Sequence, residues 1–285
     1  MLALTSDFDG ENRITNDIKE KLRLIAGAGF SHVHWCHEWD SNYIYSVYEM
    51  FQIKSWCDEF GLKVKGIHAS AGRDKSDLKK YCSPNEYNRL AGVDLIKNRI
   101  DLAQILDAGA IVLHFYLPWQ EFEKNIESRE SFYCIALKSF DEMEGYCKTR
   151  KICICIENDL ATPQKHTYFM FDTLFERYDK DYMGLCFDTG HALMICKENC
   201  LEYAERYIDR LFMIHIHDNQ GEHDEHLIPF EGRFDWENFA RVLANSPYEF
   251  PILLESAFRN RGDRAEWLKK AFIEGNRFAE MVSAE

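Results

Sequence analysis

Eight short β-like runs alternate with longer helix-like stretches along all 285 residues, and this alternation constrains the fold more than any other feature. The runs are Leu2–Asp9, His32–Glu38, Leu62–Ser70, Ala110–Leu117, Ile152–Asp159, Met183–Gly190, Leu211–Asn219 and Pro251–Ala257. Between them Ile14–Ala28, Tyr43–Phe60, Tyr87–Leu106, Phe132–Lys148, Arg264–Met281 and the shorter Glu198–Ile208 carry apolar residues at three- and four-residue spacing. Strands that alternate with helices imply a parallel sheet with crossover connections. Eight such units and about 250 residues make one (β/α)8 barrel, so the expectation is an α/β chain forming a single domain over residues 1–285. No Pro-, Gly- or Ser-rich linker divides it. The first run, with Asp7 and Asp9, is the weakest strand assignment.

The polar residues within the runs fall on one parity. Strand side chains alternate between the barrel interior and the helix layer. In the fifth run Ile152, Ile154 and Ile156 take one side, and Cys153, Cys155 and Glu157 the other. The sixth places Gly184, Cys186 and Asp188 inward, the seventh Met213, His215 and His217, and the eighth Leu253 and Glu255. His68 and His114 end the third and fourth runs on the parity of their small inward residues. Carboxylates and imidazoles thus converge on the mouth formed by the C-terminal strand ends, where barrel enzymes keep their sites. They are the ligand set expected for Zn2+, Mn2+ or Mg2+, and a cation explains how several acids share one low-dielectric pocket.

The formal net charge of −14 repels polyanions, and no basic run offers nucleic acid or an anionic membrane a local patch. No apolar run is long enough to span a bilayer, and Asp7 and Asp9 interrupt what would be the core of a signal peptide, so a cytoplasmic protein is expected. Ten cysteines with no CxxC pair suit reduced, buried thiols better than a disulfide framework. Gly27, Gly29 and Gly109 are read as helix C-caps rather than as a phosphate loop.

Ile156-Glu157-Asn158, Phe187-Asp188-Thr189-Gly190-His191, His215-Ile216-His217-Asp218-Asn219, Asp224-Glu225-His226-Leu227 and Leu254-Glu255-Ser256 resemble the motifs of the xylose-isomerase-like TIM-barrel superfamily. That superfamily includes sugar and sugar-phosphate isomerases and epimerases, inosose dehydratase, dehydroshikimate dehydratase and endonuclease IV. The resemblance implies a divalent metal held by Glu157, Asp188, His215 and Glu255, with Glu157 and Glu255 also the catalytic acid–base pair. His215 is preferred to His217 as the ligand because the pattern is a histidine followed three residues later by an acid, here Asp218. It implies substrate contacts for His191, His68 and His217, and further metal ligation by His68, His114, His191, Asp224 and His226 in the manner of endonuclease IV. The solvated-loop reading of Asp224 and His226 stays open.

The activity so implied is isomerisation or epimerisation of a small carbohydrate, a ketose or a sugar phosphate through proton abstraction beside a carbonyl. A dehydratase or lyase on the same scaffold is the near alternative. A trinuclear-zinc phosphodiesterase like endonuclease IV is a third reading, opposed by the acidity of the chain and by the segments Ala69–Arg73 and Phe115–Trp119. A barrel that binds without turnover ranks last. Trp119, Trp35 and Trp39 could wall a sugar ring, with core packing as the alternative for each. Arg73 and Lys75 follow the third run, where they could meet a phosphate. A homo-oligomer is left open.

Overall fold

The computed structural model describes residues 1–70, 80–259 and 262–285, so Arg73 and Lys75 lie outside the described residues. Eight parallel strands form the sheet: β1 Leu2–Thr5, β2 His32–Trp35, β3 Lys63–His68, β4 Ala110–Leu113, β5 Cys153–Glu157, β6 Met183–Asp188, β7 Leu211–His215 and β8 Ile252–Leu254. Their order is β7-β6-β5-β4-β3-β2-β1-β8. Between β7 and β8 a parallel bridge joins Ile216 to Leu254, with Ile216 N donating to Leu253 O at 2.9 Å and Glu255 N to Ile216 O at 3.0 Å. This seam completes a TIM barrel.

Strand parity follows the sequence pattern. Ala3, Ala110, Val112, Cys153, Cys155, Cys186, Met213 and Leu253 form a separate buried cluster inside the barrel, while Ile154, Ile156, Leu185, Phe187 and Ile214 pack in the surrounding core. All ten cysteines are free thiols. Small inward residues let the large ones interdigitate: a Cβ on Gly66 would lie 2.5 Å from Met213 Cε and 3.1 Å from His34 Nδ1.

The helices correct the sequence reading in several places. The stretch Tyr43–Phe60 is helical only over Val47–Glu59, because Ser46 accepts from Glu49 N and Glu49 accepts from Ser46 N, a reciprocal cap that fixes the start. Phe132–Lys148 lies within a longer helix, Ile126–Arg150, and Glu198–Ile208 breaks into short turns around Glu202–Arg206. The helices Gln164–Arg177, Thr189–Cys196 and Trp236–Ala244 are additional to those expected. After the helix Glu86–Ile105 it is Asp107, not Gly109, that takes the left-handed conformation (φ 59°), whereas Gly29 (φ 106°) turns the chain out of Ile18–Gly27 as expected. The first run is a strand only over Leu2–Thr5, leaving Asp7 and Asp9 beyond it. Among the described residues no helix is long and apolar enough to cross a membrane.

Candidate metal centre at the barrel mouth

Local structure places each ligand-type side chain. Glu157, Asp188, His68 and His215 are the last residues of their strands, and His114, His217 and Glu255 follow β4, β7 and β8 by one or two positions. Cα pairing sets Asp188 opposite His215 and Glu157 opposite Cys186. Asp188 also caps the helix that follows it: Oδ1 accepts from His191 N at 2.7 Å, which leaves Oδ2 for the mouth. The Asn158 side chain ties β5 to β6, donating to Asp188 O at 2.9 Å and accepting from Asp188 N at 2.8 Å. Thr189 Oγ1 does the same work between β6 and β7, donating to His217 O at 2.7 Å and accepting from His217 N at 3.0 Å.

Four overlapping ligand groups result, each with its atoms within 4.8 Å of one another. Glu157, Asp188, His215 and Glu255 form the central one. His68 and His114 join Glu157 on one side; on the other, Asp188, His191 and His217 form a group, and His217, Asp224 and His226 another. His215 Nδ1 lies 3.1 Å from Glu157 Oε1 and 2.9 Å from Glu255 Oε2. One ring nitrogen carries at most one hydrogen, so it cannot satisfy both carboxylates. His215 Nε2, His217 Nδ1 and Asp224 Oδ1 are buried with no hydrogen-bond partner. Buried polar atoms are normally satisfied, and this donor set of carboxylate oxygens and imidazole nitrogens fits a divalent cation.

In the loop from Asn219 to His226, Gln220, Glu222 and His223 are exposed, whereas Asp224 and His226 are half-buried. Asp218 and Leu227 exchange backbone hydrogen bonds of 2.9 and 2.8 Å, and the Asp218 carboxylate accepts from Phe230 N, Phe234 N and Trp236 Nε1. Asp218 is therefore a buried anchor rather than a ligand. The anchored loop returns Asp224 and His226 to the mouth: His226 Nε2 is 2.8 Å from Asp224 Oδ2, and His226 Nδ1 is 2.7 Å from Glu255 O. His217 Nε2 lies 3.1 Å from Asp188 Oδ2, and its ring stacks on His226 with centroids 4.1 Å apart. Gly190 admits that ring, since a Cβ there would fall 2.0 Å from His217 Cε1. His215 stands in the central group, and His217 belongs to two others.

The electrostatics follow from burial working against opposite charge. Burial raises the Glu157 carboxyl, but His215 and His114 outweigh it and hold it well below the carboxylate range. Glu255 is likewise lowered against its burial by His215. Burial depresses His226, and Asp224 more than reverses this, lifting it to about 9. Asp7 behaves oppositely: burial and the nearby Glu255 push it up to about 6, although the sequence marked it only as a polar residue that weakens the first strand.

Supporting residues that sequence reasoning missed include Tyr116, whose hydroxyl is 2.6 Å from His114 Nδ1 and so turns Nε2 toward Glu157 Oε2 at 2.8 Å. His68 Nε2 stands 3.6 Å from the same oxygen. Trp39 lies beside both imidazoles, with centroids 5.1 Å from His68 and 5.5 Å from His114. Trp119 donates to Ala161 O at 3.0 Å and packs by His166, and Trp35 is a core residue bonded to Tyr45 Oη at 2.9 Å.

Residues 22–272 match the family model described as xylose isomerase-like TIM barrel. The chain is 32% identical over 282 residues to the uncharacterized protein y4fM of Sinorhizobium fredii, covering 94% of this chain and 90% of that protein. Among solved structures it resembles a D-tagatose 3-epimerase-like protein, with TM-score 0.74, 20% identity and coverage of 99% and 98% of the two chains. It also resembles a D-psicose 3-epimerase, with TM-score 0.71, 18% identity and coverage of 99% of each chain. At these identities the two likenesses establish a shared fold.

Proposed function

Because the chain belongs to the xylose isomerase-like TIM barrel family, we propose that it is a metal-dependent isomerase or epimerase of a sugar, ketose or sugar phosphate. The observation that carries this reading is the pair of carboxylates, buried Glu157 and half-buried Glu255, set on either side of one imidazole nitrogen of His215. Glu157, Asp188, His215 and Glu255 would hold the cation, with Zn2+ or Mn2+ preferred and Mg2+ admitted. When bound, it supplies positive charge that stabilises negative charge developing on the substrate's oxygens. Glu157 and Glu255 take a proton from the carbon beside the carbonyl and return it. The Glu255 side chain is 18% exposed against 1% for Glu157, so Glu255 is the more open to a substrate entering the mouth. Trp39 offers an apolar flank beside His68 and His114, and His191 stands at the opposite rim.

The test pairs metal analysis with solvent-deuterium exchange during turnover of candidate ketoses and ketose phosphates. Glu157→Gln and Glu255→Gln should each abolish exchange while retaining most of the metal, since an amide oxygen still ligates but cannot accept the proton. Near-normal exchange in both variants would refute the proton-transfer roles.

One observation favours a second reading. Glu157 and Asp188 each belong to two ligand groups, as carboxylates bridging neighbouring cations would, so the mouth could hold two or three metals and hydrolyse a phosphate ester. His217 would then be a ligand alongside Asp224 and His226. Elemental analysis giving two or more metals per chain, with metal-dependent incision of an abasic-site duplex, would establish this reading. With a net charge of −14, salt-sensitive duplex binding and incision are not expected.

A further inference from the structure

The barrel has a second end, where its strands begin, a full strand length from the ligand groups at the mouth. Strand register aims cations at it. Ala3 lies in the cluster inside the barrel, His32 pairs with Ala3 between β1 and β2, and Lys63 pairs with His32 between β2 and β3. Partners in register share a face, so His32 and Lys63 point toward the axis, and Lys65, two residues on, does the same. Val64 between them packs in the surrounding core. Two adjoining clefts open at this end, of about 340 Å³ and about 440 Å³, and share Met1, Lys65 and Asp107. His32, Lys54 and Lys63 line the first, Arg150 and Lys151 the second. Asp58, Asp107 and Glu249 line them too, so five cationic side chains meet three acids on a chain of net charge −14. Lys54 is paired with Asp58, Arg150 is bonded to Asp101 at 3.0 Å, and Lys65 stands 3.7 Å from Asp107, whose side chain is 92% exposed. Among the described residues Lys63 and Lys151 form no ion pair. His32 adds a donor. Its ring is 4% exposed, Nδ1 lies 2.8 Å from Ser31 Oγ, and Nε2 is buried with no hydrogen-bond partner. Burial first, and then charges that include Lys63 and Lys65, push its pKa down to about 4. The imidazole is therefore neutral, and with Nδ1 accepting the Ser31 hydroxyl its own hydrogen sits on Nε2. An unused buried donor beside unpaired lysines does nothing for the fold by itself, and suits an anion.

We propose that these clefts, at the end of the barrel opposite the mouth, bind a small anion bearing two phosphate groups. Lys63 and His32 Nε2 hold one phosphate, Lys151 holds the other, and Lys65, which lines both clefts, lies between them. Leu106 in the first cleft and Phe250 in the second give an organic portion apolar contact. Each cleft falls within the ~300–1,000 Å³ of small-molecule sites. A long polyanion meets the field of the whole acidic chain, whereas a small one reaches the local excess of positive charge.

Calorimetric titration of the full chain with inorganic pyrophosphate, before and after divalent metal is stripped from it, reads this directly. The wild type should bind one pyrophosphate per chain, more tightly than inorganic phosphate, with or without metal. Lys63→Glu and Lys65→Glu should each weaken binding about 10- to 100-fold, the loss that follows from removing a hydrogen bond to a charged group. The melting temperature of the free protein should not move, because Lys63 is exposed and the Lys65 side chain is 39% exposed. His32→Phe, which keeps a ring without a donor, should weaken binding as well. Lys138→Glu makes the same charge change at an exposed position on the helix Ile126–Arg150 and should bind as the wild type does. No saturable binding at millimolar pyrophosphate, or binding undiminished by both lysine reversals, overturns the proposal. Binding that vanishes with the metal overturns it too, since the anion would then sit at the mouth.

Discussion

Asn158→Ala tests whether the strand ends are held by side-chain clamps rather than by the sheet alone. The Asn158 amide is buried, 2.9 Å from Asp188 O and 2.8 Å from Asp188 N, and these two bonds fix the backbone of a candidate ligand residue one strand away. Removing the amide strands a buried N–H and a buried C=O at about 1–3 kcal/mol each. The expected loss is thus about 2–6 kcal/mol, a large part of the 5–15 kcal/mol that typically holds a domain together. Asp188 would also lose its alignment with His215 and His217, so metal affinity should fall about 10–100-fold, the range found when ligand-supporting partners are removed. Asn158→Asp should fare little better, because a carboxylate can accept from Asp188 N but cannot donate to Asp188 O and adds negative charge beside Glu157. Urea unfolding of the metal-free protein gives the first quantity and calorimetric titration with Zn2+ or Mn2+ the second. A stability loss below about 1 kcal/mol together with unchanged affinity would refute the clamp argument.

Gly190→Ala should cost about 1–3 kcal/mol by overpacking and displace His217, read as a lower melting temperature and weaker metal retention; an unchanged protein would mean that the ring has room to move. Acid should destabilise the fold through His37, whose ring is held neutral with a pKa lowered to about 4 by burial and by Lys21. The unfolded chain takes up a proton as pH falls through 6.5 and the folded chain does not until about 4, so stability drops across that window, by about 3 kcal/mol at most for this residue. His37→Asn should flatten the urea midpoint between pH 7 and 5 relative to wild type, and parallel curves would refute the assignment.

The barrel and its mouth were legible because strand parity is a local property. Glu157, Asp188, His215 and Glu255 share the inward side with Cys155, Cys186, Met213 and Leu253, and any strand that buries its isoleucines against helices must turn those residues to the axis. The helix Trp236–Ala244 follows a long polar connection, and the start signals of it and of Gln164–Arg177 are quieter: Pro163 makes no side-chain cap, and Asp235 caps a helix of only nine residues. Asp224 and His226 were ambiguous for a different reason. A dipeptide spacing in a polar stretch says nothing of where the stretch folds, and here that is decided by Asp218, which binds three donors contributed 12 to 18 residues later. The same acid that completes a histidine-x-x-acid pattern in the sequence is thus a structural anchor, and its influence on the site runs through the loop it holds. Tyr116 and Asn158 act at the same remove. Each touches a candidate ligand, and neither residue type in a strand-end segment distinguishes such a role from ordinary packing. A candidate centre of this kind therefore shows its possible ligands in strand periodicity and its supports only in three dimensions.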